Sequence, residues 1–308
     1  MARRKRTKRK NSLITIIVVI LAIVGIIPTA SEKLGGFSWD EVFEETQLTE
    51  SVDGDYPVSV HFIDVGQGDC TLISSDYGNI LIDSGEYEYA QTVVNYLKNY
   101  SVKKLDYVIT THPHSDHMGS MATILGEFEV GKFLMPKVAK SDIPTSKSYE
   151  KMLRVLSEKK IPSEYCGAGD SFSLGEIRCE AVAPVRIIED NLNSMSIVMK
   201  FTYGDISLLV TGDCEKDEEN DILSSGADID CDILKVSHHG SKTSSSVAFL
   251  KKVSPEISVI SLAKDNEYGH PHKVTIDNLE KIGTTIYRTD EKGSMIFSTD
   301  GEKIYCNF

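Results

Sequence analysis

A chain of 308 residues, 41% apolar and 26% charged, is long enough to bury a sizeable core and too varied to be low-complexity, collagen-like or disordered. The formal net charge of −13 is unevenly spread, because residues 1–30 hold seven basic side chains and no acidic one. Taking those seven from the 33 Lys and Arg leaves 26 against 46 acidic residues, so the remainder carries −20 and repels nucleic acid unless a basic strip or bound cations offset the field. That weighs against a tight, processive DNA binder without excluding a weak nuclease.

The basic cluster from Arg3 to Lys10 is followed by LITIIVVILAIVGII, and the apolar stretch over residues 13–30 is long enough to span a bilayer as a helix. The cluster stays cytoplasmic, which makes this a single-pass membrane protein with its body outside the cell membrane. A cleaved signal peptide, leaving a secreted body, is the rival reading. The length of the run, and Pro28 three residues before a cut after Ala30, favour the uncleaved anchor. Residues 31–55 are polar and acidic and read as a linker. Residues 56–308 read as the catalytic body.

Within the body, residues 58–63 alternate like a strand, and 70–73 and 80–82 give two more. Apolar spacing over 88–100 predicts a helix, 105–110 a strand, 118–126 a helix and 146–159 another. Short strands are expected around Phe172 and over 178–182. Longer ones cover 196–203 and 206–211 about a Gly204-Asp205 turn, and 231–236 follows. Each chemical motif lies just past a strand end, which predicts two sheets with outer helices and a site along one sheet edge. Six cysteines in an exported chain permit disulfides, yet none forms a CxxC pair and several lie in apolar runs that suit buried thiols. No pairing and no cysteine metal site is assigned.

The decisive segment is His112-Pro113-His114-Ser115-Asp116-His117. Imidazole and carboxylate are the usual ligands of catalytic zinc. On an extended loop His112 and His114 point the same way, while Asp116 and His117 reach a second point a few ångströms off. A lone histidine is usually a surface or packed residue; three with an aspartate at this spacing rarely arise without metal.

This HxHxDH segment resembles the central motif of the metallo-β-lactamase superfamily. Leu81-Ile82-Asp83-Ser84-Gly85, Leu209-Val210-Thr211-Gly212-Asp213 and His238-His239-Gly240 are similar to its other motifs. Within the superfamily, Phe62-Ile63-Asp64-Val65-Gly66-Gln67-Gly68-Asp69, Leu234-Lys235-Val236-Ser237-His238-His239-Gly240-Ser241, Tyr268-Gly269-His270-Pro271-His272 and Tyr287-Arg288-Thr289-Asp290 resemble the extracytoplasmic hydrolase domain of the ComEC competence (DNA-uptake) family. The likeness covers residues 56–308 and does not extend to that family's many-helix channel. Choline-phosphate esterases share this hydrolase type.

The resemblance implies an α+β, four-layer αββα sandwich and a binuclear site of two divalent metal ions, zinc or manganese. Many superfamily members carry another histidine ligand where this chain reads Asn191-Leu192-Asn193-Ser194-Met195-Ser196; Asn193 or water could fill that place. One ion would then have His112, His114 and Asp213, and the other Asp116, His117, Asp213 and one of His238 and His239. His239, next to the glycine, is the favoured ligand, leaving His238 as acid or phosphate donor, though the reverse stays open. The implied chemistry is a two-metal activated hydroxide attacking a phosphodiester, with Asp116 orienting the water and His270 lining the pocket. Asp64, Asp69 and Asp83 either brace imidazoles or merely cap turns. Lys273, Arg288 and the helix start near Val247 are weaker anion-binding candidates. Three functions fit: a phosphodiesterase or nuclease outside the membrane, on single-stranded DNA for instance; a choline-phosphate esterase or lactonase; and a non-enzymatic binding module.

Overall fold

In a computed structural model, the description covers residues 49–50 and 56–308. The anchor expected over 13–30 and most of the 31–55 linker lie outside the described residues, and among those described no helix is long and apolar enough to cross a membrane. The compact unit runs from Leu48 to Phe308.

The first half supplies β1 (Thr49–Glu50), β2 (Val58–Phe62), β3 (Thr71–Ser75), β4 (Gly78–Ile82), α1 (Ala90–Asn99), β5 (Lys104–Ile109), α2 (Ser115–Met118), α3 (Met121–Glu127), β6 (Glu129–Met135), α4 (Lys147–Glu158) and β7 (Ser163–Tyr165). The second supplies β8 (Ser171–Leu174), β9 (Ile177–Ala183), β10 (Val198–Tyr203), β11 (Ile206–Val210), α5 (Lys216–Ser225), β12 (Ile233–Lys235), α6 (Val247–Val253), β13 (Ile257–Ile260), α7 (Lys273–Ile282), β14 (Thr285–Arg288), α8 (Thr289–Lys292), β15 (Met295–Thr299) and β16 (Ile304–Asn307). One sheet has nine strands in the order β1-β16-β15-β2-β3-β4-β5-β6-β7, the other seven in the order β14-β13-β12-β11-β10-β9-β8. The two-residue β1, inside the stretch read as linker, pairs in parallel with β16.

The alternation of side chains along each strand builds the layers. Ile80 and Ile82 of β4, and Leu208 and Val210 of β11, enter one core between the two sheets. Leu81 faces the other way, into a core with Val93, Leu97, Ile124 and Met152 from α1, α3 and α4. Leu209 does the same on the second sheet, against Ile222, Phe249 and Leu279 from α5, α6 and α7. The result is helix–sheet–sheet–helix, the four-layer arrangement expected. β5 and β12 run parallel to both neighbours and β11 runs parallel to β12, and the site residues follow the C-terminal ends of these three strands.

Candidate metal centre

β5 delivers the histidine loop. Thr110 donates its backbone NH to the Leu134 carbonyl of β6, and the chain then bends through Thr111, His112 and Pro113 before turning into α2 after the extended His114. The loop is bent rather than extended as expected, yet it still brings the rings of His112 and His114 to 4.6 Å from each other. The helical turn that follows swings Asp116 and His117 to a neighbouring point. Asp83, at the end of β4 with φ 58°, braces this loop. Its carboxylate accepts from the Thr111 NH (2.8 Å), the Thr111 hydroxyl (2.7 Å) and His117 Nδ1 (2.8 Å). Gly68 lies so close beneath the loop that a Cβ there would meet the Asp116 carbonyl oxygen at 2.5 Å.

The second sheet supplies the facing residues. Asp213 follows β11 and donates its NH to the Ser196 hydroxyl (3.0 Å), which also lies 3.4 Å from His112 Nδ1. His238 and His239 follow β12 with φ 50°, a left-handed conformation that non-glycine residues adopt mainly where surrounding structure imposes it. His239 Nδ1 donates to the Ser261 carbonyl (2.9 Å) and lies 3.3 Å from Asp69. With Nδ1 so engaged in His117 and His239, each ring offers Nε2 as the ligand atom. Asp69 is in turn paired at 2.7 Å with Lys235, both fully buried.

Among the described residues, three groups of donors converge: His112, His114 and Asp213; Asp116, His117, Asp213 and His239; and Asp69, Asp83 and His117, where Asp83 already holds the ring at Nδ1 by a hydrogen bond, which leaves the first two as the donor sets. Asp213 faces both, with Oδ2 3.7 Å from His112 Nε2 and Oδ1 3.1 Å from His117 Nε2. Despite that approach, His117 Nε2 and Asp213 Oδ1 are buried with no aligned hydrogen bond among the described residues. Atoms that converge on a point without pairing are disposed as ligands, so these residues fit a pair of divalent cations.

Charge supports the fit. Burial alone would lower both imidazoles, but the carboxylates of Asp213, Asp116 and Asp83 lift His117 well above its ordinary value. Asp213 and Asp69 likewise overcome burial and lift His239 to about 10. Burial would raise Asp69, yet Lys235 and then His239 bring it down to about 2. Burial holds His112 well below its ordinary value and lowers His114. Without metal, the raised pKa of His239 stabilises the fold fully below its ordinary 6.5, and that contribution is lost as pH rises through about 10. Loading the metal-free chain with Zn²⁺ at pH 8 will therefore expel about two protons, from His117 and His239. Calorimetry in buffers of different ionisation enthalpy reads this directly, and zero net release would contradict the assignment.

Around these sets stand the other expected residues. His238 is part-exposed, with Nε2 3.5 Å from Asp213 Oδ2 and Nδ1 3.3 Å from Glu215 Oε1 and 3.2 Å from the Thr243 hydroxyl. Glu215, absent from the sequence reading, also accepts from Asn191 Nδ2 at 2.9 Å. The hydrogen bond from His238, reinforced by Asn191 and partly opposed by burial, lowers its carboxyl to about 2. Asn193 turns its Nδ2 toward Glu215 (3.5 Å) and keeps Oδ1 buried with no hydrogen bond among the described residues. His270 is brought up beside the pair, its ring 5.7 Å from His238 and 6.3 Å from His239. Burial, then the neighbouring imidazoles, lower it to about 4, and its buried Nδ1 has no hydrogen bond among the described residues.

The weaker anion-binding candidates are occupied by the protein itself. Arg288 is held by Asp290 (2.6 Å) and Glu291 (3.0 Å), and Lys273 by Asp277 (2.5 Å). The start of α6 is filled by the Glu219 carboxylate, which accepts from the NH groups of Ser245 and Ser246. Asp64 caps its own turn through Gly66 (3.0 Å), unlike Asp69 and Asp83, which brace imidazoles. All six cysteines are free and five are buried.

The profile of the metallo-β-lactamase superfamily matches residues 63–264. Similar sequences include ComE operon protein 3 of Bacillus subtilis, 29% identical over 254 residues, which are 77% of this chain and 32% of that protein. Competence protein ComA of Neisseria gonorrhoeae is 31% identical over 236 residues, 76% of this chain and 31% of that protein. The chain thus spans about a third of the length of these relatives. Among solved structures, Igni18, a metallo hydrolase from Ignicoccus hospitalis, superposes with a TM-score of 0.51 at 15% identity, covering 78% of this chain and 99% of that one, a likeness of fold. With the profile spanning the histidine loop, Asp213 and His239, the chain belongs to the metallo-β-lactamase superfamily, whose fold in the main carries metal-dependent hydrolysis.

Proposed function

We propose that this protein is a phosphodiesterase or nuclease that works outside the cell membrane, anchored through residues 13–30 and using two divalent ions, zinc in the first instance. The observation that carries the reading is the pair of donor sets sharing Asp213 at an edge open to solvent. The similarity to a competence protein points to nucleic acid as the substrate class.

When bound, the ions supply Lewis-acid activation of water and charge neutralisation at phosphorus. His112, His114 and Asp213 would hold one, and Asp116, His117, Asp213 and His239 the other. The Asp116 side chain is 25% exposed, so its carboxylate can meet solvent at the open edge. His117 and the hydrogen-bonded His239 outweigh burial and keep it ionised, able to orient a water. His238, steadied at Nδ1 by Glu215 and Thr243, can donate from Nε2 to a phosphoryl oxygen. His270 closes the same side of the pocket.

The test is metal content and turnover of the full chain on bis(p-nitrophenyl) phosphate and single-stranded DNA, with Zn²⁺ or Mn²⁺, beside His114→Ala. We expect near two ions per chain and diester cleavage that His114→Ala lowers by about 10²-fold or more. Two ions without diester cleavage would replace this reading with the esterase or lactonase alternative, and no bound metal would discard it.

A further inference from the structure

A groove of about 350 Å³ lies beside the metal loop, walled by Tyr87, Gly119 and Thr123 on one side and by Lys151 and Arg154 of α4 on the other. It is built on the same turn as the candidate ligands. Ser115, on the exposed side of the loop next to Asp116, donates to Glu86 at 2.8 Å. The next residue is Tyr87, 59% exposed. Gly119, three residues past Asp116, packs so closely that a Cβ there would sit 2.6 Å from the Tyr87 nitrogen. The groove and the metal loop are therefore fixed relative to each other.

Its chemistry stands out against a body that carries a large negative charge. Lys147, Lys151 and Arg154 follow one another at i, i+4 and i+7 on one face of α4. None of the three has a carboxylate ion-pair partner among the described residues. The Lys151 ammonium sits 5.2 Å from the centroid of the Tyr87 ring. Glu158, the one carboxylate in the lining, stands at the end of α4 away from the metal loop. Exposed aromatic rings with unpaired cations alongside are what sequence-tolerant binding of single strands uses: bases stack on the ring and phosphates meet the cations.

We propose that the Tyr87–Lys151–Arg154 groove anchors a single-stranded polynucleotide whose scissile phosphodiester lies over the metal centre. The inference rests on the phosphodiesterase reading for the last step, but its binding step is separately measurable. A strand held here gains affinity at a place the reacting phosphate never touches, so small diesters are blind to it.

The experiment measures binding of fluorescein-labelled oligo(dT) to the full chain in EDTA by anisotropy, across a salt series, beside hydrolysis of bis(p-nitrophenyl) phosphate by the metal-loaded chain. Tyr87→Ala should weaken oligonucleotide binding about tenfold, the loss of one stacked base. Lys151→Gln with Arg154→Gln should flatten the salt slope by about 1.4, the release of two counterions from a single strand. Both variants should hydrolyse the small diester within about twofold of wild type. Wild-type-like oligonucleotide binding by the variants, or no binding by the wild type, would overturn the groove. A parallel loss of small-diester hydrolysis would place these residues in the fold and overturn it as well. Oligonucleotide binding that depends on the groove, with no diester cleavage by any form, would uphold the groove and sink the phosphodiesterase reading alone.

Discussion

Asp213→Ala will empty both metal sets at once and lower diester hydrolysis by roughly 10³-fold or more. Among the described residues Asp213 alone belongs to both sets: Oδ2 looks to His112 and His238, Oδ1 to His117 and His239. Asp83→Asn is the fitting comparison. Asp83 stands outside both donor sets, and its replacement weakens the bond that fixes His117 Nδ1, so it should cost about 10–100-fold in metal affinity and leave a measurable rate. Metal content by atomic emission and kcat/KM on bis(p-nitrophenyl) phosphate separate the two. Retention of two ions by Asp213→Ala would show that the shared carboxylate is not a ligand.

The largest effect on stability is expected at Lys235. Its ammonium and the Asp69 carboxylate are fully buried 2.7 Å apart, and the ammonium also donates to the Val236 carbonyl (3.1 Å). Removing one partner of such a pair leaves the other charge stranded, at a cost of about 3–5 kcal/mol. Lys235→Met should lose that much in urea unfolding of the metal-free chain, read as a lower midpoint at constant slope. Replacing both charges should recover most of it, because a pair removed together leaves nothing stranded. Asp69→Asn with Lys235→Met should nonetheless bind metal about 10–100-fold more weakly, since His239 has lost the carboxylate beside Nδ1. A double variant as unstable as the single would mean that Lys235 acts through packing rather than charge.

The candidate metal loop was legible because its donor residues are near neighbours in sequence. The histidine pair after β12 was legible for the same reason, and the structure sets His239, not His238, among the inner donors. What local spacing cannot show is a partner from the other sheet. Lys235 sits in a strand run where a single lysine reads as an interruption, and only the fold brings Asp69 to it. Glu215 opens an acidic run, Glu215-Lys216-Asp217-Glu218-Glu219, that reads as a solvated helix face. Two of these carboxylates are in fact turned inward, Glu219 to cap α6 and Glu218 fully buried. Arg288 and Lys273 misled in the opposite sense: isolated in sequence, they are neutralised by carboxylates two to four residues on. The groove beside Tyr87 joins residues more than sixty positions apart and leaves no local trace.

The path of β15 sets the order in which this protein can finish folding. β2 occupies the middle of the nine-stranded sheet, yet one of its two neighbours is β15, with Val58 beside Thr299 and Phe62 beside Met295. A bond from the Asp64 NH to the Ser294 hydroxyl, spanning 230 positions, fastens the same seam. Until β15 has emerged, one flank of β2 has no mate, and an unmated flank invites pairing with other chains. Closure of so long a loop is slow compared with the local hairpin of β2 and β3. The nascent chain therefore carries a sticky margin until β15 arrives, and a truncation before residue 295 should convert a folding protein into an aggregating one.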